Sequence, residues 1–128
     1  FVWTEGAQSK LFVASGIGIT PFISILKARQ RDGGDLNLRL IYAGREVELP
    51  FEAWLKHLAA KQPQFKLSLI HGRRLQLQDL EAANRDLVYL SGPADMVNQL
   101  DEQLMAVGLP RQNLKRDLFT GSPGWSNY

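Results

Sequence analysis

Gly16-Ile17-Gly18-Ile19-Thr20-Pro21 combines two glycines with a small hydroxyl residue and a proline directly after an apolar run at residues 11–14. Two glycines let backbone N–H groups approach an anion with no Cβ in the way. Thr20 is placed to cap a following helix, and Pro21 suits a first turn, where a missing N–H costs nothing. The positive end of that helix's dipole would face the loop, which favours a pyrophosphate. A side chain at Gly18 is then expected to bar the phosphate while leaving the fold largely intact. A plain tight turn would account for one glycine, but not for two followed by Thr-Pro. The usual dinucleotide fingerprint wants a third glycine where Pro21 stands, and a P-loop wants Gly-Lys-Ser/Thr, which is missing.

Ser91-Gly92-Pro93 repeats the device after another apolar run, residues 87–90, and predicts a turn into a helix opened by Pro93. The alternative is that Gly-Pro merely starts the helix. The two glycine-bearing loops would face each other if their strands are neighbours. Arg45, Arg73 and Arg74 follow two further apolar runs, where the ribose and 2′-phosphate of a bound dinucleotide would lie; each could equally be a solvated surface charge. His57 and His71 have no second ligand at metal spacing. No Gly-x-Ser-x-Gly elbow and no paired-histidine metalloprotease pattern occurs, and no acid follows the first apolar run where a phosphoacceptor would sit.

The elements that must position these residues alternate. Apolar runs at 11–15, 38–43, 65–70, 87–90 and 114–119 read as strands, the third more edge-like than the first because its apolar residues strictly alternate. Helical spacing follows at 21–31 and 51–62, a short helix fits 76–83, and a helix after Pro93 has the face Met96, Val97, Leu100, Leu104 and Val107, ended by Gly108. Gly121, Pro123 and Gly124 then exclude further regular structure. Such alternation predicts an α/β fold with a doubly wound parallel sheet of five strands, helices on both faces and the ligand crevice at the carboxyl ends of the strands.

With 128 residues, 45% apolar and 22% charged, the chain makes one domain, residues 1–128. Its 15 Lys+Arg are scattered among 13 Asp+Glu for a net charge of +2, so nucleic acid is not the implied partner. The absence of cysteine excludes disulfide scaffolds and thiolate chemistry. The apolar runs are too short and interrupted for a membrane span. The opening Phe-Val-Trp, without Met, leads us to expect a piece of a longer protein.

Residues 11–24, from Leu11 through Gly16-Ile17-Gly18-Ile19-Thr20-Pro21 to Ser24, resemble the Gly-x-Gly-(Ile/Leu)-(Thr/Ala)-Pro nucleotide loop of the ferredoxin–NADP reductase family. Residues 87–96, with Ser91-Gly92-Pro93-Ala94-Asp95-Met96, resemble its Cys-Gly-Pro-x-x-Met motif, and Tyr42-Ala43-Gly44-Arg45 its Tyr-x-x-Arg segment. The resemblance covers nearly the whole chain. It implies the C-terminal NAD(P)-binding domain of a flavoprotein reductase, with strand order 3-2-1-4-5 and FAD held mainly by an N-terminal β-barrel outside this chain. By that likeness Gly16, Gly18, Ile19, Thr20, Pro21, Gly92, Pro93 and Met96 are cofactor-binding, and Ser91 and Phe119 act beside the nicotinamide and flavin. Ser91 stands where the family usually has Cys. Arg45, Arg73 and Arg74 give a slight lean to NADPH over NADH, against the alternative that Gly72-Arg73-Arg74-Leu75 is wholly structural. Phe1, Trp3 and Thr20-Pro21-Phe22 are similar to the reductase ends of ferric-reductase-like membrane flavoproteins, which implies a cytoplasmic location and a membrane or electron-carrier partner. The rival reading is a nucleotide-sensing module without redox chemistry.

Overall fold

The computed structural model describes residues 1–4, 6, 9–81, 83 and 86–119; the glycines and proline expected to end regular structure after residue 119 lie outside them. Five strands form one sheet: β1 (Lys10–Ser15), β2 (Leu38–Gly44), β3 (Phe65–His71), β4 (Leu87–Pro93) and β5 (Leu114–Phe119). Their order is β3-β2-β1-β4-β5 and every pairing is parallel, as expected from the alternation and the resemblance.

Alternate residues of each central strand face opposite layers, and the sequence supplies apolar side chains on both. Phe12, Leu40, Tyr42 and Tyr89 pack with α1 (Thr20–Arg31) and α2 (Glu52–Lys61) on one face. Leu11, Val13, Ile41, Val88 and Leu90 pack on the other with α3 (Ala94–Ala106) and a 3₁₀ turn at Leu77–Leu80. That turn stands where a short helix was expected over 76–83. Met96, Val97, Leu100 and Leu104 are buried as the helical spacing requires. Val107 is 51% exposed, because α3 ends at Ala106 and Val107 is its C-cap.

The residues leading into β1 close the first face. Phe1 stacks on Phe22 (5.5 Å) and meets Tyr89 edge-on, while Phe12 lies between Phe22 (4.5 Å) and Tyr89 (5.0 Å). Trp3 meets Phe12 edge-on and takes the cations of Lys10 (4.4 Å) and Arg29 (4.2 Å) on its ring. Such contacts add to the area the rings bury.

Strand β5 is mostly exposed and needs a tether. The buried Asp101 of α3 provides it, accepting two bonds from Arg111 (2.9 and 3.0 Å) and pairing with Arg116 of β5 at 3.1 Å. Arg116 also donates to Asn98 of the same helix at 2.8 Å. This fixes the register that sets Phe119 opposite Pro93.

Candidate functional site

The strand order reverses between β1 and β4, and there the two glycine-bearing segments meet. Gly16 leaves β1 at φ +59°, a left-handed conformation that favours glycine, and opens a 3₁₀ turn, Gly16–Ile19, that runs directly into α1. Thr20 is the first residue of α1 rather than its cap: its hydroxyl donates to the carbonyl of Ile17 at 3.0 Å, and Ile19 is the N-cap. The tight 3₁₀ turn brings that carbonyl within reach of the hydroxyl, so Thr20 does not cap the helix as its place in the sequence predicts. Pro21 sits in the first turn of α1 as expected. No side-chain acceptor caps the 3₁₀ turn, so its leading N–H groups suit an external acceptor, whereas at the start of α1 the Thr20 N–H donates to the Ile17 carbonyl and Pro21 has none.

Gly18 is required by a protein contact. A Cβ there would lie 2.5 Å from the carbonyl carbon of Ser91, closer still to its oxygen, and 2.9 Å from the nitrogen of Gly92. The expectation that a side chain at Gly18 would leave the fold intact is therefore overturned, because backbone stands in its way. Gly92 is confined by side chains: its Cβ would come 2.5 Å from the flexible Cε end of Met96 and 3.1 Å from the Cβ of Ser15. Met96 is a core residue packed against Gly92.

Ser91-Gly92-Pro93 is not a turn. The three residues complete β4, pairing with Asp117, Leu118 and Phe119 of β5, and α3 starts at Ala94 with Pro93 as its N-cap (φ −59°, ψ 145°). Proline's fixed φ fits an extended strand end as well as a first helical turn, which is why the sequence was ambiguous here. Ser91 is buried, and the parallel register places it on the same sheet face as Phe119.

The arginines divide. Arg45 is exposed just after β2. Arg73 grips Asp79 with two bonds (2.7 and 2.9 Å) and donates to the carbonyl of Arg74 at 3.0 Å, an arrangement that raises its own pKa and lowers that of Asp79. Asp79 also accepts the N–H of Gln76, so Arg73 braces the 3₁₀ turn after β3. Arg74 lies 3.6 Å from Asp95 of α3, both half-exposed. Among the described residues no group of three or more His, Cys, Asp and Glu could hold a metal. Grooves of about 600 and 550 Å³ lie beside β3 and at the amino ends of the strands, and neither is lined by a residue singled out from the sequence.

One network had little sequence signal beyond an acid opening a helix four residues before a lysine. Glu52, buried at the start of α2, accepts from Leu49 N–H (3.0 Å) and Lys56 (3.0 Å) and bonds His71 at the end of β3 (2.8 Å). These bonds, led by that to His71, hold its carboxyl down to about 2. Tyr42, buried on β2, donates to the carbonyl of Pro50 at 3.1 Å; burial foremost, then Glu46 and Glu52, push its pKa up. Together they fix the loop after β2.

No family model matches the chain. It is 33% identical over 114 residues to a flavohemoprotein of Candida norvegensis, covering 84% of this chain and 28% of that protein. It is 30% identical over 125 residues to the ferredoxin reductase component of a 3-ketosteroid-9-alpha-monooxygenase from Rhodococcus rhodochrous, covering 89% of this chain and 35% of that protein. The flavohem-like FAD/NAD-binding domain of nitric oxide dioxygenase from Vibrio cholerae O1 biovar El Tor superposes with a TM-score of 0.79 at 21% identity, over 93% of this chain and 54% of that one. The chain has the fold of the NAD(P)-binding domain of the ferredoxin–NADP reductase family. It spans about a third of the length of the curated relatives it matches. Within this reductase fold, the motif segments fall at the joined ends of β1 and β4.

Two outcomes follow from these contacts. Gly18→Ala should destabilise the chain by about 1–3 kcal/mol in urea unfolding, the usual cost of forcing an extra carbon into packed structure; a neutral substitution would show that the turn does not bear on Ser91. Glu52 titrates near 2 when folded against 4.5 ordinarily, so the stability it contributes is complete above about pH 4.5 and is lost as pH falls toward 2. Glu52→Gln should flatten the stability profile across that window, and an unchanged slope would contradict the assigned network.

Proposed function

We propose that the chain binds NAD(P)H across the joined carboxyl ends of β1 and β4 and presents the nicotinamide to FAD carried by another domain of a longer flavoprotein reductase. The observation carrying this reading is the backbone contact of Gly18 with Ser91 at the point of strand-order reversal, where doubly wound sheets open their ligand crevice. The N–H groups of the Gly16–Ile19 turn, which no side chain caps, and the positive end of α1 fit a pyrophosphate, with Gly16, Gly18, Ile19, Thr20 and Pro21 as its cradle.

When bound, nicotinamide and flavin supply the hydride chemistry; the protein contributes orientation and exclusion of water. Ser91 offers a hydroxyl to orient the nicotinamide and Phe119 shields the reacting rings, both on one sheet face. Gly92 and Pro93 keep the end of β4 slim, with Met96 supporting Gly92 from the core. The flavohemoprotein and ferredoxin reductase relatives support a flavin-dependent oxidoreductase as the parent; that its FAD sits on an N-terminal barrel rests on the family resemblance alone.

Finer parts of the proposal rest on single features. A lean to NADPH now depends on Arg74, and on Arg45 beyond β2, since Asp79 already takes two donors of Arg73. A ferric-reductase-like parent at the cytoplasmic face of a membrane, or one joined to an electron-carrier domain, rests on the wording at Phe1, Trp3 and Thr20-Pro21-Phe22; among the described residues no helix is long and apolar enough to cross a membrane.

Calorimetric titration of this chain should give weak, saturable binding of NADH or NADPH and no tight binding of FAD. No heat with either pyridine nucleotide at millimolar levels would sink the assignment, and tight FAD binding by this chain alone would contradict the division of labour.

A further inference from the structure

Strand β3 is the outer strand of the sheet, with β2 on one side only. The Gly72 N–H donates to the Gly44 carbonyl at 2.9 Å, which sets the alternation along β3. Ser68 and Ile70, in step with Gly72, turn their backbone groups to β2. Leu67 and Leu69 therefore turn theirs to the open edge, where no backbone bond outside the sheet reaches them among the described residues. Unpaired N–H and C=O groups in a row are a template for one more strand.

The side chains of the same two residues lie on the α2 face. Leu67 and Leu69 pack against the core there but stay only half-buried, because a groove of about 600 Å³ runs between α2 and the edge of β3. Pro63 and Phe65 continue its apolar wall, and Phe65 to Leu69 spans about 13 Å of extended chain. The charged residues lining the groove are Lys56 and Lys66, and no carboxylate lines it. Lys66 is exposed and has no ion-pair partner among the described residues. Lys56 gives one donor to the buried Glu52 at 3.0 Å and is 62% exposed, so its ammonium keeps donors for a second acceptor.

We propose that the outer edge of β3 is a docking strip for an extended acidic segment of a partner polypeptide. The segment would pair with the backbone of Leu67 and Leu69, set alternate apolar side chains into the groove and bring carboxylates to Lys56 and Lys66. A second copy of this chain is the poorer occupant, since its own Lys56 and Lys66 would be brought against these. Lysines beside an edge strand guard against such self-pairing, and an acidic partner turns the same guard into an attraction. Because β2 stands between β3 and β1, the strip is separate from the junction of β1 and β4 and does not depend on nucleotide binding there.

The test titrates the labelled chain with the end-capped peptide Glu-Val-Thr-Val-Thr-Val-Glu and follows amide hydrogen exchange. Binding should be saturable, weaken with salt and slow the exchange of the Leu67 and Leu69 amides, while those of Ser68 and Ile70, already bonded to β2, change little. The same peptide with lysine at both ends, or with proline at its third and fourth positions, should not bind. Lys66→Glu is a change at an exposed side chain and should keep the thermal unfolding midpoint. It should weaken the acidic peptide about fivefold or more and improve binding of the lysine-ended one. No binding of the acidic peptide, equal binding of either control, or shifts at Lys56 and Lys66 without protection of the Leu67 and Leu69 amides would overturn the proposal. So would dimerisation of the unaltered chain through β3, which would give the edge to a second copy.

Discussion

The backbone of Ser91 and Gly92 occupies the space a side chain at Gly18 would need, so the turn after β1 packs directly on the end of β4. Because the sheet order reverses at this point, that contact defines the floor of the crevice. Met96 and Ser15 fill the space beside Gly92, so an added carbon there displaces the Met96 side chain. Asp101 extends the constraint outward: its grip on Arg111 and Arg116 holds β5 to α3 and sets Phe119 beside the end of β4. The proposed pyrophosphate cradle and nicotinamide end are therefore parts of one rigid junction rather than two independent loops.

Beyond that junction, the edge is built by side chains that work on the protein itself. Arg73 and Asp79 brace the turn after β3, Glu52 ties α2 to β3, and Tyr42 reaches Pro50 across the loop after β2. Each satisfies a buried or half-buried polar group whose isolation would be costly. The result is a carboxyl edge with backbone donors over β1, apolar side chains beside β2, and Arg74 with Asp95 spanning toward α3.

Much of the architecture was legible because its determinants are local. Runs such as 11–14 and 38–43, bounded by glycines, mark buried parallel strands, and the spacing of Met96, Val97, Leu100 and Leu104 marks one helix face. The strand order came from the resemblance. Local chemistry was insufficient where two conformations share a dihedral or a bond depends on partners far along the chain. Pro93 fits a strand end or a helix start, and only pairing with β5 decides. Thr20 looked like a cap, but the 3₁₀ turn presents it with a carbonyl. Nothing local marks Phe51 for its left-handed backbone (φ 65°), since its determinants are Tyr42 on β2 and a Glu52 held by His71 of β3. The sequence marks Gly18 as a place where a side chain is excluded, but not that the backbone of Ser91 and Gly92 excludes it, because those residues lie far along the chain.

The central claim is that one nucleotide occupies both halves of the junction. Backbone amide chemical-shift mapping of the isotopically labelled chain during titration with NAD⁺ tests it most directly. The account predicts that the amides of Gly16 to Thr20 and Phe22, and those of Ser91, Gly92, Ala94 and Asp95, shift together along a single binding curve, with the amino ends of the strands unaffected. Shifts confined to one segment, curves that separate the two, or changes concentrated around the groove beside β3 would contradict it.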